Sequence, residues 1–340
     1  MNINFGLTTI NRAIMHHILG KDQDGNVRCE YSDSLIPIDF DVRKILMERL
    51  RTAFGLQSRS FELLLKNDAE GSVFSYLYNL GATDDTEFIE RSKSIVNLLA
   101  ENSKRGSIPN GFLLVLDCIY DNKYLYIIIK AEPHSALNIS NWQAHALKDI
   151  ILSPSQKLYK AFLMLNDKPG STKDDFSYML FDDQFANGSS LAKYFYSDFL
   201  GLTIEGNSFV LTKMFYENVV KLIKKEFKTD YDQKARIEDL LQSRMNDERT
   251  TINPRDIIND IIPLEKRDNF LNKICNDEFS HSFPKNRSSL LNVLNKKNVE
   301  ICDGLKLVGK SMLFDNKVTI EEDRDRPGIK IITVETKDKK

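Results

Sequence analysis

Cysteine is scarce and scattered in this chain, and Cys29, Cys118, Cys275 and Cys302 form no C-x-x-C pair. That spacing argues against a zinc site and suits reduced, buried thiols in a cytosolic protein. Long apolar runs are missing too. The longest, such as Phe112–Leu116 and Tyr124–Ile129, fall far short of the roughly 20 residues that a membrane-crossing helix needs. The opening Met1–Thr9 lacks a basic segment followed by an apolar core, so export is not expected. Nor is one sign of charge in excess: 47 basic residues face 49 acidic ones, a net charge of −2. Nucleic-acid binding therefore cannot rest on overall charge, and any DNA contact must come from a local patch. There is no internal repeat.

What is present is an ordinary globular composition, 41% hydrophobic and 28% charged, which predicts that the whole length folds. At 340 residues the chain exceeds the roughly 250 that one core comfortably supports, so two domains are expected.

Ile10–Leu19 and Val27–Tyr31 read as two strands around the Asp24-Gly25-Asn26 turn. Asp39-Phe40-Asp41 then leads into a helix carrying Val42, Ile45, Leu46, Leu50 and Phe54 on one face and closed by Gly55. A short strand at Phe61–Leu65 and helices at Ser72–Leu80 and Asp84–Asn102 follow, broken by Pro109-Asn110-Gly111. Phe112–Tyr120 and Lys123–Lys130, rich in β-branched and aromatic residues and joined across Asp121-Asn122, are expected as central strands. Tyr159–Asn166 and Phe176–Phe181 add two more around the Lys168–Ser171 turn. The pattern turns helical near Asn187-Gly188-Ser189-Ser190. Helices are expected at Leu191–Leu200, Ser208–Lys228, Asp232–Met245, Pro254–Ile262 and Leu264–Asp277, and a closing hairpin at Val318–Glu321 and Ile329–Val334 around Arg326-Pro327-Gly328. The reading is an α+β protein with an N-terminal, largely antiparallel domain over 1–186 and a mainly helical domain with a terminal β element over 187–340.

Three stretches carry a resemblance: Asp33–Pro37 (DSLIP) after the opening hairpin, Ala192–Gly201 (AKYFYSDFLG), and Ser282–Leu290 (SFPKNRSSL) with the β-rich end behind it. In this order they resemble the YejK/NdpA-type nucleoid-associated proteins. The resemblance implies a bacterial cytoplasmic protein found with the nucleoid and associated with DNA. It also implies a link to a type II topoisomerase, with no catalytic residues and no cofactor. The segments Asn292–Asn298 and Lys306–Lys310 carry more lysine than that pattern leads one to expect.

Lys221, Lys224, Lys225 and Lys228 recur at helical spacing, so they line one stripe of the helix read at Ser208–Lys228. Phe215, Val219, Leu222, Ile223 and Phe227 take the opposite side and are expected in the core. Such a stripe can follow phosphates by releasing counterions, giving affinity without sequence readout. The plainer reading is a solvated helix face, and Glu217 shares the stripe. Lys285 and Arg287 stand where Ser288 or Ser289 caps a following helix, a setting that suits an anion; the plainer reading pairs Arg287 with a carboxylate. Lys296, Lys297, Lys306 and Lys310 extend the basic character of this end.

Gly304–Ser311 matches G-x-x-x-x-G-K-[ST], with Leu113–Asp117 as an apolar strand ending in an aspartate. A phosphate loop needs a strand before it, a helix opening at the Lys-Ser and a parallel sheet, which the residues remaining after Ser311 cannot supply. Glu335-Thr-Lys337 has nuclease-like spacing with Asp315 or Asp325 as partners, but reads better as a charged tail. His16 and His17 point to opposite faces of a strand and cannot share a metal; His134, His145 and His281 lack ligand neighbours. The function expected is binding of double-stranded DNA largely without sequence specificity, and no enzyme activity. The alternatives are a regulator that binds a DNA enzyme such as a topoisomerase, and a defence component whose site forms only in space. A symmetric dimer would double a modest basic surface.

Overall fold

The structure, a computed structural model, describes residues 3–56, 58–102, 111–140, 143–152, 158–166, 172–187, 191–294, 296–302, 305–310, 317–323, 326 and 329–335. The chain divides into two compact units, Met1–Asn207 and Ser208–Lys340.

In the first unit the elements are β1 (Thr8–Lys21), β2 (Val27–Glu30), α1 (Phe40–Phe54), β3 (Ser60–Leu65), α2 (Val73–Leu77) and α3 (Asp85–Asn102). They continue with β4 (Gly111–Tyr120), β5 (Lys123–Ala131), β6 (His134–Ser140), β7 (Gln143–Ile150), β8 (Lys160–Asn166), β9 (Phe176–Asp182) and β10 (Leu202–Thr203). Eight strands form one antiparallel sheet in the order β10-β3-β9-β8-β5-β4-β1-β2. The β4–β5 hairpin sits inside it, as its composition predicts. Asp121 and Asn122 both adopt positive φ, the backbone that a two-residue turn matching the strand twist requires.

Strand alternation sorts the side chains onto two faces. Ala13, Leu116, Ile127 and Leu163 pack with Leu46, Met47 and Leu50 of α1 on one face. The helix starts where Asp39 accepts a hydrogen bond from the Val42 amide. Toward the other face Arg12 donates to Asp117 at 2.9 Å and to the carbonyls of Leu80 and Thr83, both at 2.8 Å, and lies 4.6 Å over the Phe88 ring. One buried cation thus ties the sheet to the entrance of α3. Asp117, read as the aspartate ending the strand that accompanies the phosphate-loop match, lies within β4 and serves this contact.

The expected helix at Leu191–Leu200 is a π-helical turn, Tyr194–Phe199. It stays with the first unit because β10, just after it, pairs with β3. Gly201 between them has φ +68°, and a Cβ there would stand 2.9 Å from that of Asn67, so only glycine fits.

The second unit contains α4 (Ser208–Glu226), α5 (Tyr231–Asn246), β11 (Thr251–Ile252), α6 (Pro254–Ile261), α7 (Leu264–Ile274), β12 (Phe283–Pro284) and α8 (Leu291–Leu294). Two ribbons follow, β13 (Lys296–Cys302) with β14 (Leu305–Lys310), and β15 (Val318–Glu322) with β16 (Lys330–Val334). α6 begins as its sequence predicts, Asn253 capping the amides of Arg255 and Asp256 with Pro254 in the first turn. The β6–β7 and β13–β14 pairs are additions to the sequence reading. The breaks and turns read at 109–111, 168–171, 187–190 and 327–328, and the tail from 336, lie wholly or partly outside the described residues.

Candidate nucleic-acid interface

The core of the second unit is laid along α4. Val210, Leu211, Met214, Phe215, Val219, Leu222 and Ile223 are buried, and Phe227 just beyond the helix is buried too. Phe215 meets Phe279 and Phe283 at ring distances of 5.8 and 6.1 Å, and Phe227 meets Phe270 at 6.4 Å. These anchors fix the rotation of α4 and thereby decide what faces water.

Lys221, Lys224, Lys225 and Lys228 are all exposed. Among the described residues none of the four has an ion-pair partner. Glu217, the acidic member of the sequence stripe, behaves differently. Its side chain is 13% exposed, lies 3.8 Å from the Lys213 ammonium, and burial pushes its carboxyl up to about 7. Near neutral pH it is turned inward and partly discharged, so the exposed stripe is purely cationic. The end of α4 is also fastened: Lys266 of α7 donates to the Glu226 carbonyl at 2.6 Å and Lys273 pairs with the Glu226 carboxylate at 3.1 Å. Cations here complement the negative end of the helix dipole, which is itself a structural reason for Lys224 and Lys225.

The other basic residues singled out in the sequence lie outside α4. The Lys285 side chain is 2% exposed, and its ammonium donates to the Asp247 carboxylate at 2.6 Å and to the Asp247 carbonyl at 2.7 Å. It is an internal brace, which corrects its reading as an anion-contacting side chain. The carboxylate partnership expected of Arg287 falls to Lys285 instead. Arg287 is exposed, with a terminal nitrogen 3.4 Å from the Asn246 side-chain oxygen. Ser288 and Ser289 do not cap a helix; their hydroxyls donate to the side-chain and main-chain oxygens of Asn286. Asn286 in turn donates its amide to Thr212 of α4 at 2.9 Å.

Lys296 and Lys297 lie in β13, Lys306 and Lys310 in β14. Their register sets Lys296 opposite Lys310 and Lys306 opposite Glu300. Leu305–Lys310, the middle of the phosphate-loop match, is therefore a strand in an antiparallel ribbon, which cannot wrap phosphates with its amides.

His16 and His17 make structural contacts. Nδ1 of His16 accepts from the Ser32 amide at 3.1 Å, so Nε2 carries the proton and meets Ser92 Oγ at 2.8 Å. The Ser92 hydroxyl donates to the Ile89 carbonyl, so this buried pair is not a nucleophile with its base. His17 stacks on Phe112 at 4.4 Å, on the opposite side of β1. Among the described residues no group of three or more His, Cys, Asp or Glu side chains is arranged to hold a metal ion.

A family model described as nucleoid-associated protein YejK matches residues 15–320. The chain belongs to that family. The YejK match begins within β1 and ends within β15, so it takes in both compact units, including α4 and its lysines. No curated protein matches the chain. No helix among the described residues is long and apolar enough to cross a membrane.

One feature of this region escaped the sequence reading. Arg249 follows α5 with its side chain 60% exposed, held on Asp247 by its Nε at 3.0 Å. The signal was weak, since Asp247-Glu248-Arg249 reads as an ordinary charged loop.

Proposed function

We propose that this YejK-family chain is a bacterial, cytoplasmic nucleoid-associated protein that binds double-stranded DNA through its phosphates, largely without sequence specificity. The observation that carries the reading is the exposed, purely cationic stripe of Lys221, Lys224 and Lys225 on α4, continued by Lys228 two residues past the helix end, with the opposite face of α4 locked in the core. From Lys221 on α4 to Lys228 just past its end the stripe spans about 10 Å, over which a duplex presents about six phosphate charges. Four ammonium groups on that length suit a continuous backbone contact. A lysine ammonium meets phosphates as a flexible point charge without the fixed fork of a guanidinium, so little sequence preference is expected from them.

Arg287 and Lys310, both exposed, and Lys296, Lys297 and Lys306 of the ribbon are secondary contributors in this reading. Lys285 is not. A symmetric dimer would offer two stripes and multiply a weak contact. The test is a set of single Lys→Gln variants at the four positions, with duplex affinity followed over a range of salt. Each should lower the slope of log affinity against log salt by about 0.9 and weaken binding to all sequences alike. Slopes that stay at the wild-type value would remove the stripe from the interface. A wild-type chain with no salt-dependent duplex binding would instead favour a regulator acting on a DNA enzyme such as a topoisomerase.

A further inference from the structure

We propose that the cleft at the C-terminal end of α5 binds the phosphodiester of an unpaired nucleotide, with the Arg249 guanidinium as its anion-gripping fork. The inference rests on the nucleic-acid reading above but uses a different surface and different residues.

The open cleft has a volume of about 470 Å³, and its walls are Leu240, Ser243, Arg244, Asp247, Arg249, Asp260 and Ile261. That is within the roughly 300–1,000 Å³ of small-ligand sites. The two arginines and two aspartates of the walls cancel, and the surplus comes from Lys285 behind them. Arg244 pairs with Asp260, but Asp247 alone answers both the buried Lys285 and Arg249. One positive charge is left over, which matches a phosphodiester monoanion.

The geometry places that surplus on a prepared group. Asp247 accepts from the Arg249 backbone amide at 3.1 Å and pairs with its Nε at 3.0 Å, while Lys285 fixes the same carboxylate from below the surface. The two terminal nitrogens of Arg249 have no partner among the described residues. A guanidinium oriented before the ligand arrives loses little freedom on binding, and its parallel N–H groups fit two oxygens of one phosphate. Asp247 and Lys285 are thus positioning residues. Leu240 is 41% exposed on the wall, a large apolar side chain open to a sugar or base, and Ser243 adds a hydroxyl. A concave cleft of this size admits one splayed nucleotide. Bases of a duplex are stacked and paired, whereas those of a single strand are free to turn into a pocket or lie on a guanidinium plane.

The experiment measures anisotropy of a short labelled oligothymidylate and of a labelled duplex with the full chain, its Arg249→Ala and Arg249→Lys variants, and the Lys221/Lys224/Lys225/Lys228→Glu variant. Thermal melting checks that the exposed Arg249 changes leave the fold intact. The expected result is about a tenfold loss of oligothymidylate affinity in Arg249→Ala, little recovery in Arg249→Lys, and duplex affinity within about twofold of wild type. The proposal is overturned if the wild type does not bind the oligomer, or if Arg249→Ala binds it unchanged. Displacement of the oligomer by a polyglutamate peptide at equal charge concentration would also overturn it, assigning the fork to carboxylates. Arg249-dependent oligomer binding without any duplex binding would support this site while removing the stripe reading.

Discussion

The ammonium of Lys285 lies 2.6 Å from the carboxylate of Asp247, with only 2% of the lysine side chain exposed. A residue whose sequence neighbourhood, Pro284-Lys285-Asn286-Arg287, suggests an anion site is in fact spent on holding the end of α5 to the strand β12 region.

Lys285→Met keeps the length of the side chain and removes its charge. It should cost about 2 kcal/mol of unfolding free energy, because Asp247 loses a desolvated partner and the Asp247 carbonyl a donor. Urea denaturation measures this. Duplex affinity should be unchanged in the folded variant, separating a brace from a DNA contact.

Two groups give the units opposite pH responses. Burial holds His16 down at about 4 from an ordinary 6.5, so the folded state keeps it neutral while the unfolded chain takes up a proton. Its contribution is complete above pH 6.5 and is lost as pH falls toward 4. Glu217 is pushed up to about 7 from 4.5, so its burial is least costly below pH 4.5 and opposes folding increasingly as pH rises through 7. Glu217→Gln should therefore raise stability relative to wild type more at pH 8.5 than at pH 5, by about 2 kcal/mol, whereas His16→Gln should flatten the decline between pH 6.5 and 4. Urea midpoints across that range test both.

The Arg12–Asp117 pair joins the sheet to the segment before α3. Asp117→Ala leaves a guanidinium at 11% exposure without its carboxylate, and should destabilise the first unit by about 3–5 kcal/mol. Amide exchange at Leu80–Asp85 should accelerate ahead of exchange in β5. Equal acceleration in both would mean the pair does not tether that segment.

Legibility in the sequence followed the strength of local patterns. α4 was readable because its apolar residues recur at helical spacing and its lysines fill the remaining face. The β4–β5 hairpin was readable because dense β-branched and aromatic residues flank a two-residue turn. β6 and β13 were not, since HSALNIS and KKNVEIC mix polar and apolar residues without a sustained alternation. The burial of Lys285 depends on a carboxylate 38 residues earlier in the chain, a distance that no local pattern encodes. The same holds for Arg249, whose importance appears only once Asp247, Lys285 and the cleft wall meet. The π-turn at Tyr194–Phe199 has the apolar density of a helix but is followed at once by Gly201 and β10, which end it.

If the lysine stripe at the end of α4 binds duplex DNA, duplex affinity should fall steeply between roughly 50 and 200 mM salt for the wild type and be lost in the Lys221/Lys224/Lys225/Lys228→Glu variant. Four phosphate contacts predict a slope near −3.6, roughly a hundredfold loss of affinity over that range, and a variant that melts like wild type yet does not bind. A folded variant that binds the duplex with wild-type affinity and slope would show that the stripe does not touch DNA.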